Sequence, residues 1–249
     1  MSKKLAIVTG TSRGLGYSIA EQLLDCGWVV YGFARSASLL QHERYHHVPM
    51  DLSDRLEVEN YFNSEFLKII RPEAWQQIAL VNNVGQLDPI AAIQDIDFAE
   101  LEQSFQLNTV LPIWLMGFCR RIWPSKKLTI VNISSGAATK PYQGWGAYCS
   151  TKAALRMAGQ VFAAEQAARK QPAAVYAYAP GVLDTSMQSK VRGSDPSVFA
   201  DLPRFKSLYE QGELIHPDLP ARHIVSLIDK SDDRQSGFFE LRFERDEHA

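Results

Sequence analysis

No stretch of this sequence is apolar for long enough to cross a bilayer, so a membrane-spanning helix is not expected. Cysteine is scarce: Cys26, Cys119 and Cys149 are odd in number and far apart. That spacing supports neither a disulfide framework nor a zinc pattern, and free thiols in a reducing cytoplasm are expected. An excess of one charge is missing too. The 26 basic and 28 acidic residues leave a formal net charge of -2, which gives no general pull toward nucleic acid or an acidic membrane. The opening apolar run, LAIVTG, is too short for the core of a secretion signal and reads as a strand. His42, His46 and His47 lie close together but lack a supporting acid pattern. They are expected to be solvated, with no bound metal. Linkers, low-complexity segments and repeats of solenoid length are absent, so residues 1–249 are expected to form one domain.

What is present is an alternation. Short apolar runs (LAIVTG, VVYGFARS, YHHVPMDL, IALVNNVG, LTIVNISS, AVYAYAPG and GFFELRF) alternate with segments of helical spacing. The first three elements form a strand, a glycine-rich turn and a helix, followed by another strand, as in a parallel βαβ unit. Continued alternation predicts an α/β chain: a single Rossmann-type doubly wound parallel sheet of about seven strands, with helices on both faces. The long helix from Phe98 to Pro124 contains Pro112, where a kink or break is expected. Residues 182–217 read as irregular, and a substrate lid is expected around 186–215. Trp114, Phe118 and Trp123 read as helix packing, and the ERDEHA tail as a solvated terminus.

In such sheets ligands bind beyond the C-terminal strand ends. Small and polar residues gather there. Gly10, Gly14 and Gly16 lie between the first strand and its helix, where glycines permit a tight turn and the helix N-terminus favours a phosphate. After the second strand, sites that prefer NAD carry an acid for the ribose hydroxyls. Here that acid is missing and Arg35 stands instead, with Arg13 in the glycine loop, which favours the 2′-phosphate of NADP. Asp51, after the third strand, suits either an adenine amine or the cap of the next helix. Tyr148 and Lys152 are four apart in a helical run and share a face. On its own, such a pair is an ordinary surface feature. A neighbouring ammonium would lower the phenol's pKa and suit it to proton transfer.

Together TGTSRGLG, NNVG, Ser135 thirteen residues before Tyr148, Lys152 and the following APG resemble the short-chain dehydrogenase/reductase family over nearly the whole chain. The family usually has Ala where this chain has Val84. The resemblance implies a nicotinamide-dependent oxidoreductase. It makes Tyr148 the proton-transfer residue, and Lys152 a ligand of the nicotinamide ribose that lowers the tyrosine's pKa. Ser135 would hold the substrate carbonyl oxygen, and Asn108 would support Lys152 through a bound water. The implied cofactor surface, for NADP(H), comprises Gly10, Ser12, Arg13, Gly14, Leu15, Gly16, Arg35, Asp51, Leu52, Asn83, Val84, Gly85, Tyr148, Lys152, Pro180, Gly181, Val182 and Thr185. Asn83 and Gly85 would lie under the riboses, and Val182 and Thr185 would hold the carboxamide. Family dimers pair through the two long helices, so a homodimer, or a tetramer built from it, is expected.

GWGAYCSTKAA and YAPGVLDTSMQ resemble more narrowly the sepiapterin reductases and related bacterial benzil reductases. Sepiapterin reductases anchor the pterin through an acid in the last strand. Leu241 stands at that position here, flanked by Glu240 and Arg242, which favours a less polar ketone or vicinal dicarbonyl. Leu87, Tyr142, Trp145, Met187 and Phe199, with Leu202 and Tyr209, are candidates for an apolar substrate wall. The expectation is an NADPH-dependent carbonyl reductase acting on a small molecule. The alternatives are an NADP-dependent alcohol dehydrogenase running in the oxidising direction, and a non-catalytic NADP-binding regulator on the same fold.

Overall fold

A computed structural model describes residues 3–230 and 236–244. The terminal residues 245–249 of the ERDEHA segment lie outside that range. The apolar runs form seven strands: β1 Lys4–Thr9, β2 Val29–Ala34, β3 Tyr45–Pro49, β4 Gln77–Asn82, β5 Lys127–Ile133, β6 Ala173–Ala179 and β7 Gly237–Arg242. They make one parallel sheet in the order β3-β2-β1-β4-β5-β6-β7. Parallel strands of this kind are covered on both faces, which is why most of them read as continuous apolar runs.

The helices are α1 Gly14–Asp25, α2 Arg55–Tyr61, α3 Leu67–Ile70, α4 Phe98–Phe105, α5 Leu111–Ile122, α6 Gly146–Ala168, α7 Ser186–Arg192, α8 Leu202–Glu210 and α9 Asp218–Asp229. On one face Phe62, Phe66, Phe118 and Phe162 pack against Phe33, Ile78 and Ile130 of the sheet. On the other, Ile19, Leu23, Ile224 and Ile228 from α1 and α9 cover Val8, Val30 and Val81. His46 is not simply solvated: its ring stacks on Tyr31, with centroids 4.6 Å apart. The chain leaves β1 toward β3 and then crosses back to β4. The strand order therefore reverses between β1 and β4, and a crevice opens at their C-terminal ends.

Two elements depart from the sequence reading. Pro112 does not break the long helix. It stands in the first turn of α5, directly after a π turn, and helix continues through it to Ile122. The irregularity is instead a π turn, Gln106–Val110, that joins α4 to α5; a second, Phe62–Phe66, joins α2 to α3. Residues 182–217 are also more regular than expected, because they hold α7 and α8. Both ends of this excursion are fastened together by Ile215 N–H donating to Val182 O (2.9 Å) and Asp184 N–H donating to Ile215 O (3.0 Å).

Candidate active site

A cleft of about 830 Å³ runs along the C-terminal edge of the sheet. At its β1 end, Gly10 (φ +78°) and Gly14 (φ +58°) adopt the left-handed backbone that favours glycine. Gly16 does not line the cleft. A Cβ there would stand 2.2 Å from Gly10 O, so its smallness serves the close approach of α1 to the loop. The N-terminus of α1 has no side-chain cap and no acid in its first turn. By contrast, Asp54 caps α2 and Asp97 caps α4, each accepting two backbone N–H groups. An uncapped helix start beside glycines in the left-handed region fits a phosphate-bearing cofactor. Ser12, Arg13 and Leu15 line the same wall.

The loop is braced from behind by residues the sequence reading did not single out. The Thr11 and Tyr45 hydroxyls are 2.9 Å apart, and the Ser38 hydroxyl donates to Thr11 O at 3.3 Å. Gly32 makes this possible, since a Cβ there would fall 2.5 Å from Thr11 Oγ1 and 2.6 Å from Tyr45 Oη. A glycine inside an apolar strand is the sequence sign of such a close approach. Asn83 belongs to the same brace. Its Nδ2 donates to Thr9 O at 2.9 Å, and the Asn83 and Val84 N–H groups both donate to Thr9 Oγ1. Asn83, Val84 and Gly85 all line the cleft, but the Asn83 amide is already engaged with the loop.

At the ends of β2 and β3 the cleft is lined by Ala34, Arg35, Ser36, Asp51, Leu52 and Ser53. Arg35 lies 3.8 Å from the Asp51 carboxylate, and both side chains are exposed. Asp51 does not cap the following helix; Asp54 does. Partial burial pushes the Asp51 carboxyl up, but two hydrogen bonds from Ser53 and the Arg35 charge outweigh this and hold it below its ordinary value.

Further along, the ends of β5 and β6 and the start of α6 bring the candidate chemistry together. Ser135 follows β5, and Tyr148 and Lys152 project from the first two turns of α6. Ser135 and Tyr148 both line the cleft, and the Ser135 hydroxyl is near enough to the Tyr148 phenol to pull its pKa down. Lys152 Nζ lies 5.6 Å from the Tyr148 ring centroid and donates to Ile133 O at 2.8 Å. The expected acidification of the tyrosine is not what dominates. Burial pushes the Tyr148 phenol up to about 12, and only the Ser135 hydroxyl opposes it. Burial also brings the Lys152 ammonium down to about 8.

Asn108 lies fully buried in the π turn between α4 and α5, and such turns often mark functional sites. Its Oδ1 accepts from Gln86 N–H at 2.9 Å. Its Nδ2 donates to Gln86 O at 2.8 Å and to Thr151 Oγ1 at 3.2 Å. The side chain is thus committed to the loop after β4 rather than to Lys152 directly. Gly85 separates the two, for a Cβ there would lie 3.2 Å from Asn108 Oδ1 and 3.7 Å from Lys152 Nζ. Gln86 and Thr151 are further participants that the sequence did not announce.

Pro180, Gly181, Val182 and Thr185 close the cleft on the β6 side. Leu87, Tyr142, Trp145 and Met187 line the cleft, and so does Phe205. Phe199 and Leu202 do not line it. Phe199 is fully buried and stacks on Trp145 from behind, with centroids 4.6 Å and planes 9° apart. Tyr209 lies off the cleft, beneath the Arg192 guanidinium at 3.8 Å. In β7, Leu241 packs into the α1/α9 face, leaving Glu240 and Arg242 on the α6 face without any shift of register. Arg156 grips Glu240 with three hydrogen bonds of 2.6–3.0 Å.

Comparison with known proteins agrees with this geometry. A family model described as short chain dehydrogenase matches residues 4–195. A benzil reductase ((S)-benzoin forming) of Bacillus subtilis strain 168 is 38% identical over 229 residues, covering 91% of this chain and 94% of that protein. A sepiapterin reductase of Rattus norvegicus is 33% identical over 254 residues, covering 94% of each. A solved short chain dehydrogenase/reductase of Saccharomyces cerevisiae superposes with a TM-score of 0.78 at 27% identity, covering 96% of each chain. A cleft at the strand-order reversal, a family match over most of the chain and relatives named as reductases agree: the chain belongs to the short chain dehydrogenase family of oxidoreductases.

Proposed function

We propose that the protein is an NADPH-dependent carbonyl reductase that reduces a ketone or vicinal dicarbonyl of the benzil or sepiapterin kind, with Tyr148 as proton donor. The observation that carries this reading is that Ser135, Tyr148 and Lys152 line one cleft, with the Lys152 ammonium 5.6 Å from the Tyr148 ring centroid. Relatives named benzil reductase and sepiapterin reductase support the substrate class.

The nicotinamide cofactor, when bound, supplies the hydride. The chain supplies position and a proton. The glycine loop and the bare start of α1 hold the pyrophosphate, and Arg35 with Arg13 receives the 2′-phosphate, since Ala34, Arg35 and Ser36 bring no carboxylate to the end of β2. The hydroxyls of Ser135 and Tyr148 hold the carbonyl oxygen. With its pKa near 12, Tyr148 is protonated at neutral pH and ready to donate as the oxygen gains charge. The Lys152 ammonium, below its pKa of about 8, stabilises the phenolate left behind and, in this reading, holds the nicotinamide ribose. Asn108 fixes the loop through Gln86 and so sets the floor beneath Lys152. The excursion carrying α7 and α8, fastened at its base, acts as the substrate lid. Exposed Ile113, Met157 and Val161 on α5 and α6 support a homodimer through these helices.

The test is NADPH oxidation followed with benzil, sepiapterin and simple aldehydes. Turnover of a diketone that is lost in Tyr148→Phe while NADPH still binds is the expected result. Tight NADPH binding with no turnover across the panel would instead favour a regulator that binds the cofactor without using it.

A further inference from the structure

Tyr148, Lys152 and Arg156 follow one another at intervals of four along a single face of α6. Arg156 is tied to Glu240, and Glu240 pairs in register with Ala177 of β6. Arg242 lies two residues further along the same face of β7, opposite Ala179. Two residues of strand rise about 6.6 Å, and four residues of helix rise about 6 Å. The helix of a parallel crossover runs opposite to its strands. Arg242 therefore stands level with Lys152, one step nearer the mouth of the cleft than the Arg156–Glu240 pair.

Arg242 lines the cleft with Lys140 and Arg204, and none of the three has an ion-pair partner among the described residues. On the same walls Glu240 is already neutralised by Arg156, which leaves Asp201 as the counterweight. Arg13 and Arg35, at the other end, account for a cofactor phosphate. The surplus cations at the substrate end have no such role, and they stand out in a chain whose formal net charge is -2. A cleft lined by one sign of charge concentrates ligands of the other.

We propose that the preferred carbonyl substrate carries an anionic group, a carboxylate, and that Arg242 receives it in the field of Lys140 and Arg204 on the same cleft. This rests on the carbonyl-reductase reading above and narrows its substrate. A guanidinium offers two parallel N–H donors to a carboxylate, so the gain is directional as well as electrostatic.

The experiment compares para-carboxybenzil with its methyl ester, using benzil as a neutral reference. In the wild type, kcat/KM should favour the acid over the ester by about tenfold. Arg242→Ala should bring the ratio to near parity, and Arg242→Glu should invert it. Added salt should lower kcat/KM for the acid and spare the ester. An acid-to-ester ratio that is the same in wild type and Arg242→Ala, with ester and benzil still reduced, would overturn this proposal alone. Failure of the wild type to reduce any of the three would overturn the carbonyl-reductase reading with it.

Discussion

Where the cofactor is proposed to sit, the cleft is built largely from main chain: two glycines in the left-handed region and the open end of α1. At the substrate end it is built from side chains drawn from the segments after β4 and β5 and from α7 and α8, namely Leu87, Tyr142, Trp145, Met187 and Phe205. The first end is braced by hydrogen bonds through Thr9, Thr11, Tyr45 and Asn83. The second is braced by aromatic packing, with Trp145 between Phe199 and Tyr142. Hydrogen-bonded main chain fixes a position for one kind of group, a phosphate. Packed side chains can be exchanged for others of similar volume, so the second end is where members of one family can diverge.

The sharpest way to separate the two ends is Tyr148→Phe. It should lower kcat about a thousandfold, within the range of a lost general acid, and leave NADPH affinity intact by fluorescence titration. Loss of both together would mean that the ends are not independent. Arg35→Ala should act the other way, raising KM for NADPH tenfold or more through a lost charge-assisted contact while barely touching NADH. Equal effects on both cofactors would remove the case for NADP.

Lys152 bridges the ends and is read through pH. Its ammonium is held at about 8, so kcat/KM for reduction should fall as pH rises through that value. The folded chain binds this proton less tightly than the unfolded chain does. Folding is therefore penalised at every pH below about 8, and the penalty fades as pH climbs toward the ordinary value of 10.5. In urea titrations the wild type should gain stability relative to Lys152→Met between these two pH values; a constant difference would contradict the burial argument. The smallest effect is expected from Tyr45→Phe, which removes one hydroxyl behind the glycine loop. NADPH KM should rise about threefold to tenfold with the ketone KM unmoved.

Legibility in the sequence followed the same division. The alternation of apolar runs and helical spacing was enough for the parallel sheet, since each strand carries its own pattern. Glycine positions, Arg35 and the Tyr148–Lys152 spacing are local signals, and all of these residues except Gly16 face the cleft. Burial is not local. Nothing in GWGAYCSTK says that Tyr148 will be enclosed by Leu87, Trp145 and Phe205, so its raised pKa was missed. Phe199 was misplaced for the same reason: an apolar residue in an irregular stretch can face a ligand or lie behind the residue that does. Arg242 was legible only once β7 was paired with β6, because alternation in a strand fixes two faces without naming which one meets the site.

The π turn at Gln106–Val110 also limits how this chain can change in length. A π turn holds one residue more than an α turn. Deleting one residue between α4 and α5 would restore regular helix and remove the local bulge that presents Asn108. Asn108 would then move away from Gln86, and the loop after β4 would lose the two hydrogen bonds that Asn108 makes to its backbone. In this helix an insertion or deletion is therefore a larger event than a substitution, and the residue count between Phe98 and Ile122 is itself part of the site.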